Sequence, residues 1–297
     1  MKSFWGSSIK KRQYLFVYSV LVPTFLLFGV IRFVPMLNTM IMSFQSWNLI
    51  RPKRIFVGLL NYQQILTDNL FFEAFFNTIC FMILTVVLAI PLALFFAVLV
   101  QESKKLRPFY ESVYFFPTIA TMVSVTLIWK WMYDGSYGLI NYILSWVGIQ
   151  PIGWLASQSM ALISICLMTV WKTLGYNMMI LLVGLRAIDV TYYEAAEIDG
   201  ANRFQKFWKV TLPLLKPITL FISIMTVLKS LMAFTQFYAM TSDSQGSPSS
   251  LVRVLVYDIY QRAFLFQNMG PASAEAMLLF FGVLAITILQ FKLAKED

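Results

Sequence analysis

Residues 78–100 read TICFMILTVVLAIPLALFFAVLV, without one charged side chain. A hydrocarbon core of ~30 Å takes about 20 helical residues to cross. Lipid offers no partner for backbone N–H and C=O groups, so a spanning segment must satisfy them internally. A membrane strand would alternate polar and apolar residues over about ten positions, whereas this stretch is continuously apolar. It therefore reads as a membrane-spanning helix. Pro91 is tolerable within it where neighbouring helices satisfy the carbonyl it frees.

Comparable runs lie on either side, at 14–34, 112–133, 160–185, 217–240 and 274–293. They predict an all-α integral membrane protein of about six transmembrane helices. The whole chain, 1–297, is one transmembrane domain, with a cytoplasmic loop at 186–217. Length alone would suggest about two soluble domains. Composition overrides it: 59% of residues are apolar and 12% charged, about half the charged share of a soluble protein, too few to cover a water-facing surface. The first run is long and lacks a small-residue cleavage site, which marks a retained span rather than a signal peptide. Cys80 and Cys166 both fall in apolar runs, where cysteine packs as a small hydrophobe.

Lys and Arg placement sets the orientation. Lys2, Lys10, Lys11, Arg12, Lys104, Lys105, Arg107, Arg186, Arg203, Lys206, Lys209, Lys216, Lys292 and Lys295 share one side, against Arg51, Lys53, Arg54, Arg253 and Arg262 on the other. The excess predicts cytoplasmic N and C termini. The net charge of +9 then reflects topology and contact with anionic membrane lipid, with no basic domain to bind nucleic acid.

The 186–217 loop has a pattern of its own. Thr191 with Glu194 three residues on suggests a capping box opening a short helix that runs to Asp199, with Gly200 as the turn. A second helix is predicted from Phe204, Phe207, Trp208 and Thr211 on one face, ended by Pro213. Two other turn-rich segments are predicted as outward loops: 134–153, where Trp131, Trp146 and Trp154 cluster as an interfacial belt, and Thr241 to Ser250.

Glu194-Ala195-Ala196, then Asp199-Gly200-Ala201, then Val210-Thr211-Leu212-Pro213 at this spacing resemble the EAA loop of ABC importer membrane subunits; the family usually has isoleucine where this chain has Val210. Phe56-Val57-Gly58-Leu59-Leu60-Asn61-Tyr62, Tyr257-Asp258-Ile259-Tyr260, Ala263-Phe264 and Ala272-Ser273-Ala274 are similar to segments of the MalF-like carbohydrate and glycerol-phosphate permeases. The resemblance covers about residues 14 to 293; Gln245-Gly246-Ser247-Pro248 departs from the group's frequent Gly-Gly-Pro.

The resemblance implies a type I ABC importer permease fold in a bacterial cytoplasmic membrane, crossing it several times. It implies a second homologous permease subunit (a heterodimer), two ATPase subunits and an extracytoplasmic solute-binding protein. No cofactor is implied on this chain; ATP and Mg belong to the partner ATPase. The solute it points to is a carbohydrate, with glycerol phosphate or a polyol as alternatives. Residue by residue, it implies that Glu194 meets the ATPase, Ala195 and Ala196 permit close approach into a cleft, and Gly200 turns the chain. Asp199, Leu212 and Pro213 complete the coupling motif.

Absences agree with a non-catalytic role. There is no phosphate-binding loop of the G-x-x-x-x-G-K-[ST] type. There are no histidines, and the 14 acidic residues lie outside the deep spans, Glu111 and Glu275 standing at span starts. Ion-coupled carriers usually keep a mid-membrane carboxylate, so an ATP-independent carrier is the weaker reading. Lys172 and Lys229 do lie in spans. Lys172 shares its run with Tyr176 and Asn177, Lys229 shares a face with Thr226 and Gln236, and Trp171 and Phe237 are near. An intramembrane lysine costs about 2.5–3.5 kcal/mol on insertion scales and so faces a cavity or the bundle interior. Trp171, Lys172, Tyr176, Asn177, Lys229, Gln236 and Phe237 are therefore candidates for a solute path; interhelical packing or snorkelling suits the same residues equally.

Overall fold

A computed structural model describes residues 3–50, 53–103, 105–241 and 252–295. Apart from Thr241, the predicted loop of Thr241 to Ser250 lies outside the described residues, as does Gln245-Gly246-Ser247-Pro248. The chain divides into two compact units, Met1–Thr67 with Ile259–Leu278, and Asp68–Asp258 with Leu279–Asp297.

In the first unit, α1 (Ser3–Phe28) passes through a π-helical turn (Gly29–Phe33) into α2 (Val34–Ser43). Lys11–Ser43 is long and apolar enough to cross a membrane, and none of its most apolar stretch is buried within the chain. A short antiparallel pair, β1 (Gln45–Ser46) and β2 (Ile55–Phe56), precedes α3 (Leu60–Leu66). Asn61 on α3 holds this corner by donating to the carbonyls of Ser43 at 2.8 Å and Gln45 at 3.0 Å.

The second unit begins with α4 (Asn69–Glu102), capped by the Asp68 carboxylate, which accepts from the Leu70 N–H at 2.9 Å. There follow α5 (Arg107–Ile119), α6 (Met122–Met132), the short α7 (Leu139–Ser145) and α8 (Gln158–Ala187), the last capped by Ser157. The loop after α8 folds into α9 (Val190–Ile198), α10 (Arg203–Lys206), a π-helical turn (Phe207–Thr211) and α11 (Leu212–Leu214). The chain then re-enters as α12 (Lys216–Leu231) and continues through α13 (Thr235–Thr241), α14 (Leu255–Tyr260) and α15 (Met269–Lys295). Asn141 on α7 orders the loop between α6 and α8, accepting from the Ile152 N–H at 3.1 Å and the Trp154 indole at 2.9 Å.

Packing in this unit centres on α4 and α8. Ala89, Ala93 and Ala97 on α4 are fully buried at i, i+4, i+8, a stripe of small residues that lets helices approach closely in lipid, where contact and not hydrophobic transfer drives association. Met178, Leu181, Leu182 and Leu185 of α8 pack there with Leu215 and Ile222. Gly175 brings the α8 backbone against α5: a Cβ at that position would lie 1.9 Å from the Tyr114 carbonyl oxygen. The Arg186 guanidinium pairs with Glu111, joining the C-terminal end of α8 to the N-terminal end of α5. In the first unit Arg262 pairs with Glu275 at 2.9 Å, and in the second Arg253 pairs with Asp258 at 3.0 Å; both carboxylates are fully buried.

Among the described residues four helices are long and apolar enough to cross a membrane, and two bent pairs bring the count to six if each is one span. The predicted straight run at 112–133 is broken, because Ala120 and Thr121 are both extended and α5 meets α6 at 96°. The run at 217–240 is also interrupted: α12 ends at Leu231 and the helix restarts at Thr235. Pro213 does not end the second loop helix. The missing proline N–H is absorbed by the π-helical turn just before it, and the bend of 65° comes after Leu214. The cap of α9 is Asp189, whose carboxylate accepts from the Thr191 N–H at 2.9 Å, not Thr191 itself. Cys166 is buried as expected of a small hydrophobe, but Cys80 lies on the outer face of its helix.

Candidate functional site

The break between α5 and α6 leaves carbonyls at the end of α5 without helical partners, and within a membrane an unsatisfied group is costly. Lys172, at the middle of α8, answers them: its Nζ donates to the Ala120 carbonyl at 2.7 Å and the Pro117 carbonyl at 3.2 Å. A cation also suits the negative end of the α5 dipole. Thr121 opens α6 by accepting from the Ser124 N–H. Lys172 thus has a structural duty that its sequence pattern did not reveal.

Beside this junction lies a cavity of about 470 Å³, within the 300–1,000 Å³ typical of small-molecule sites. Lys172, Tyr176 and Asn177 line it from α8, Lys229 from α12 and Gln236 from α13. Lys229 Nζ sits 4.4 Å from the centre of the Tyr176 ring. Thr85 of α4, Thr118 of α5, Thr173 of α8 and Ser230 of α12 add hydroxyls. The sequence pattern passed these over. Their signal was a buried polar residue inside an otherwise apolar run, Thr85 within 78–100 being an example. Among the described residues no carboxylate lines the cavity.

Two candidates stand elsewhere. Trp171 is 43% exposed on the neighbouring face of α8, its ring 5.4 Å from that of Trp129. Phe237 is fully buried edge-on against Phe81, with 4.9 Å between ring centres. At about 100° per residue the α8 residues that line the cavity spread over roughly 140° of the helix, and Trp171 falls outside that arc.

The 186–217 loop is braced from within. α9 ends on Asp199, and Gly200 takes the left-handed φ of +76°. The Gly200 N–H then donates to the Glu197 carbonyl at 3.0 Å and the Ala201 N–H to the Ala196 carbonyl at 2.9 Å, the pairing of a Schellman termination. Asn202 and Gln205 form a capping box that opens α10. Lys206 pairs with Glu197 at 2.6 Å, and the Tyr193 hydroxyl meets Thr211 Oγ1 at 3.0 Å. The hydrogen bond and charge of Lys206 hold the Glu197 carboxyl below its ordinary value. Hydrogen bonds from Thr191, chiefly its backbone N–H, do the same for Asp189.

Against this rigid frame the outer face is open. Glu194, Ala195, Asp199, Gly200 and Pro213 are exposed; Ala196 and Leu212 are half-buried. Ile198 is 87% exposed and Phe204 71%. Large apolar side chains grouped beside a carboxylate on a braced loop form a surface suited to docking another protein.

Residues 65–296 match the family described as "Binding-protein-dependent transport system inner membrane component". The chain is 32% identical over 289 residues to the trehalose/maltose transport system permease protein MalF of Thermococcus litoralis, covering 97% of each chain. It is 32% identical over 279 residues to the arabinooligosaccharides transport system permease protein AraP of Halalkalibacterium halodurans, covering 93% of this chain and 86% of the other. The fold is shared with a chain of a bacterial ABC transporter involved in the import of the acidic polysaccharide alginate, with a TM-score of 0.85, 21% identity and 96% of each chain covered.

Proposed function

Because this chain belongs to the family of binding-protein-dependent transport system inner membrane components, we propose that it is the permease subunit through which an ATP-driven importer moves a carbohydrate, coupled to its ATPase by the 186–217 loop. The observation that carries this reading is the loop: a rigid pair of short helices with Glu194 exposed beside uncovered apolar side chains. Glu194 accepts charge-assisted hydrogen bonds from the ATPase, Ala195 and Ala196 allow α9 to enter a cleft, and Gly200 fixes the angle to α10. The EAA spacing and the sugar-permease relatives support this reading.

The cavity is the chain's part of the solute path. Its hydroxyls, Asn177 and Gln236 donate to and accept from solute hydroxyls, and Tyr176 presents a ring face. ATP and Mg act on two partner ATPase subunits. A second homologous permease and an extracytoplasmic binding protein complete the assembly in a bacterial cytoplasmic membrane. Nucleotide state moves the equilibrium between outward- and inward-facing forms only to the extent that the loop binds one ATPase state better than the other.

The test is co-purification from the native host in mild detergent, wild type against the double variant Glu194→Ala/Gly200→Pro. An ATPase subunit that accompanies the wild type and is lost or uncoupled in the variant is the expected result. A wild-type chain that purifies alone and moves solute in vesicles without ATP overturns the reading.

A further inference from the structure

The charge balance of the cavity is one-sided. Lys229 presents its ammonium over the Tyr176 ring at 4.4 Å, and Lys172 spends two of its three N–H donors on the Pro117 and Ala120 carbonyls. Among the described lining residues there is no carboxylate to balance either. Asn177 is 4% exposed, and its Nδ2 has no hydrogen-bond partner among the described residues. Thr173, by contrast, already donates to the Thr169 carbonyl at 2.8 Å. Surplus donors and cations therefore meet in one chamber.

A cation inside a membrane bundle is kept where it pairs or serves transport. Lys229 is exposed on α12, and the ring face of Tyr176 attracts its ammonium but accepts no strong hydrogen bond. We propose that the solute carries an anionic group, a carboxylate or a phosphate ester, for which Lys229 is the counter-ion and Asn177 Nδ2 a supporting donor. This rests on the cavity being the solute path. A neutral sugar leaves Lys229 facing only an aromatic ring. An anionic one gives it a charge-assisted hydrogen bond, the strong kind, and the hydroxyls remain for the sugar ring. Moving an anion into a cell whose interior is negative opposes the membrane potential, which an ATP-driven cycle can overcome.

The experiment uses the complete complex as purified from its host, in lipid nanodiscs, with binding read by thermal stabilisation over a concentration series. Four probes are compared: trigalacturonate against galactotriose, and glycerol 3-phosphate against glycerol. One anionic probe is expected to bind at least tenfold more tightly than its neutral partner, and which pair responds separates carboxylate from phosphate. Lys229→Gln should lose about tenfold or more of that affinity, while Lys229→Arg retains most of it. Equal binding of charged and neutral partners, no binding of either anion, or an unchanged affinity in Lys229→Gln overturns the proposal. Retention of the ATPase subunit is scored in every preparation. Its presence without anion preference sinks only this inference, and its absence from the wild type sinks the importer reading.

Discussion

Three glycines in membrane helices ask one question with three answers. Replacing glycine by alanine inside a helix gains about 0.8–1 kcal/mol of intrinsic propensity, so the sign of the change reports local space. At Gly282 nothing lies within 4 Å of the added Cβ, and Gly282→Ala should be neutral or stabilising. At Gly184 the Cβ would meet Ile218 Cδ1 at 2.3 Å and Leu215 Cδ2 at 3.0 Å, side-chain ends that can turn aside. At Gly175 it would meet the Tyr114 carbonyl oxygen at 1.9 Å and the Phe115 Cα at 3.0 Å, both backbone. Relief there requires α5 to move by more than 1 Å, roughly 3.4 Å being ordinary contact. Overpacking of that kind costs about 1–3 kcal/mol or more, which exceeds the propensity gain. At roughly 2–4 °C per kcal/mol, Gly175→Ala should melt several degrees below wild type, with Gly184→Ala between it and Gly282→Ala. Tryptophan-fluorescence melting of the detergent-purified complex measures the order. Gly175→Ala melting at or above Gly282→Ala would refute the close α5–α8 approach.

Lys172→Met should lower the melting temperature by removing two bonds to helix-end carbonyls, about 1–2 kcal/mol in a partly wet cavity, and Lys172→Arg should recover much of it; identical melting of all three proteins contradicts the clamp. Asn202→Ala removes the capping box of α10 and should cost about 0.5–2 kcal/mol locally, seen as faster hydrogen exchange across residues 203–206 with the spans unaffected. The Glu197 carboxyl is depressed below its ordinary 4.5 by Lys206, so the pair supports the loop fully above that value and loses its contribution as pH falls through the lowered folded value. Exchange in α9 and α10 should rise on acidification in the wild type. Glu197→Gln should be looser at neutral pH and lack this step; an identical acid response in both proteins argues against the pair.

What could be read from sequence was set by how physics writes into it. The spans of α4 and α8 were legible because an uninterrupted apolar run has one stable form in lipid. The fracture of the third span was not, because Pro117-Thr118-Ile119-Ala120-Thr121 keeps a membrane-like composition whether straight or broken. Its trace lay on another helix, in Lys172, a cation needing acceptors. Lys172 and Tyr176 could be grouped because i and i+4 share one face of a helix, and Asn177 as their neighbour. Trp171 and Phe237 were drawn in only as nearby aromatic rings. In the loop, the motif residues were visible, but the cap shifted to Asp189 because a carboxylate before the first turn competes well with a threonine inside it.

The elbow between α11 and α12 makes the loop and the cavity wall arms of one lever. Leu215 is its fulcrum, fully buried in the core, and Lys229 lies about 21 Å along the inner arm at 1.5 Å per residue. A tilt of about 10° at the fulcrum would swing the Lys229 backbone by roughly 4 Å over that length, on the scale of a hydrogen bond made or lost. The outer arm carries the Glu197–Lys206 pair and the Tyr193–Thr211 contact. Under the proposed coupling, a push on α9 would reach the fulcrum through this arm and be felt at Lys229, the charge that lines the cavity from α12.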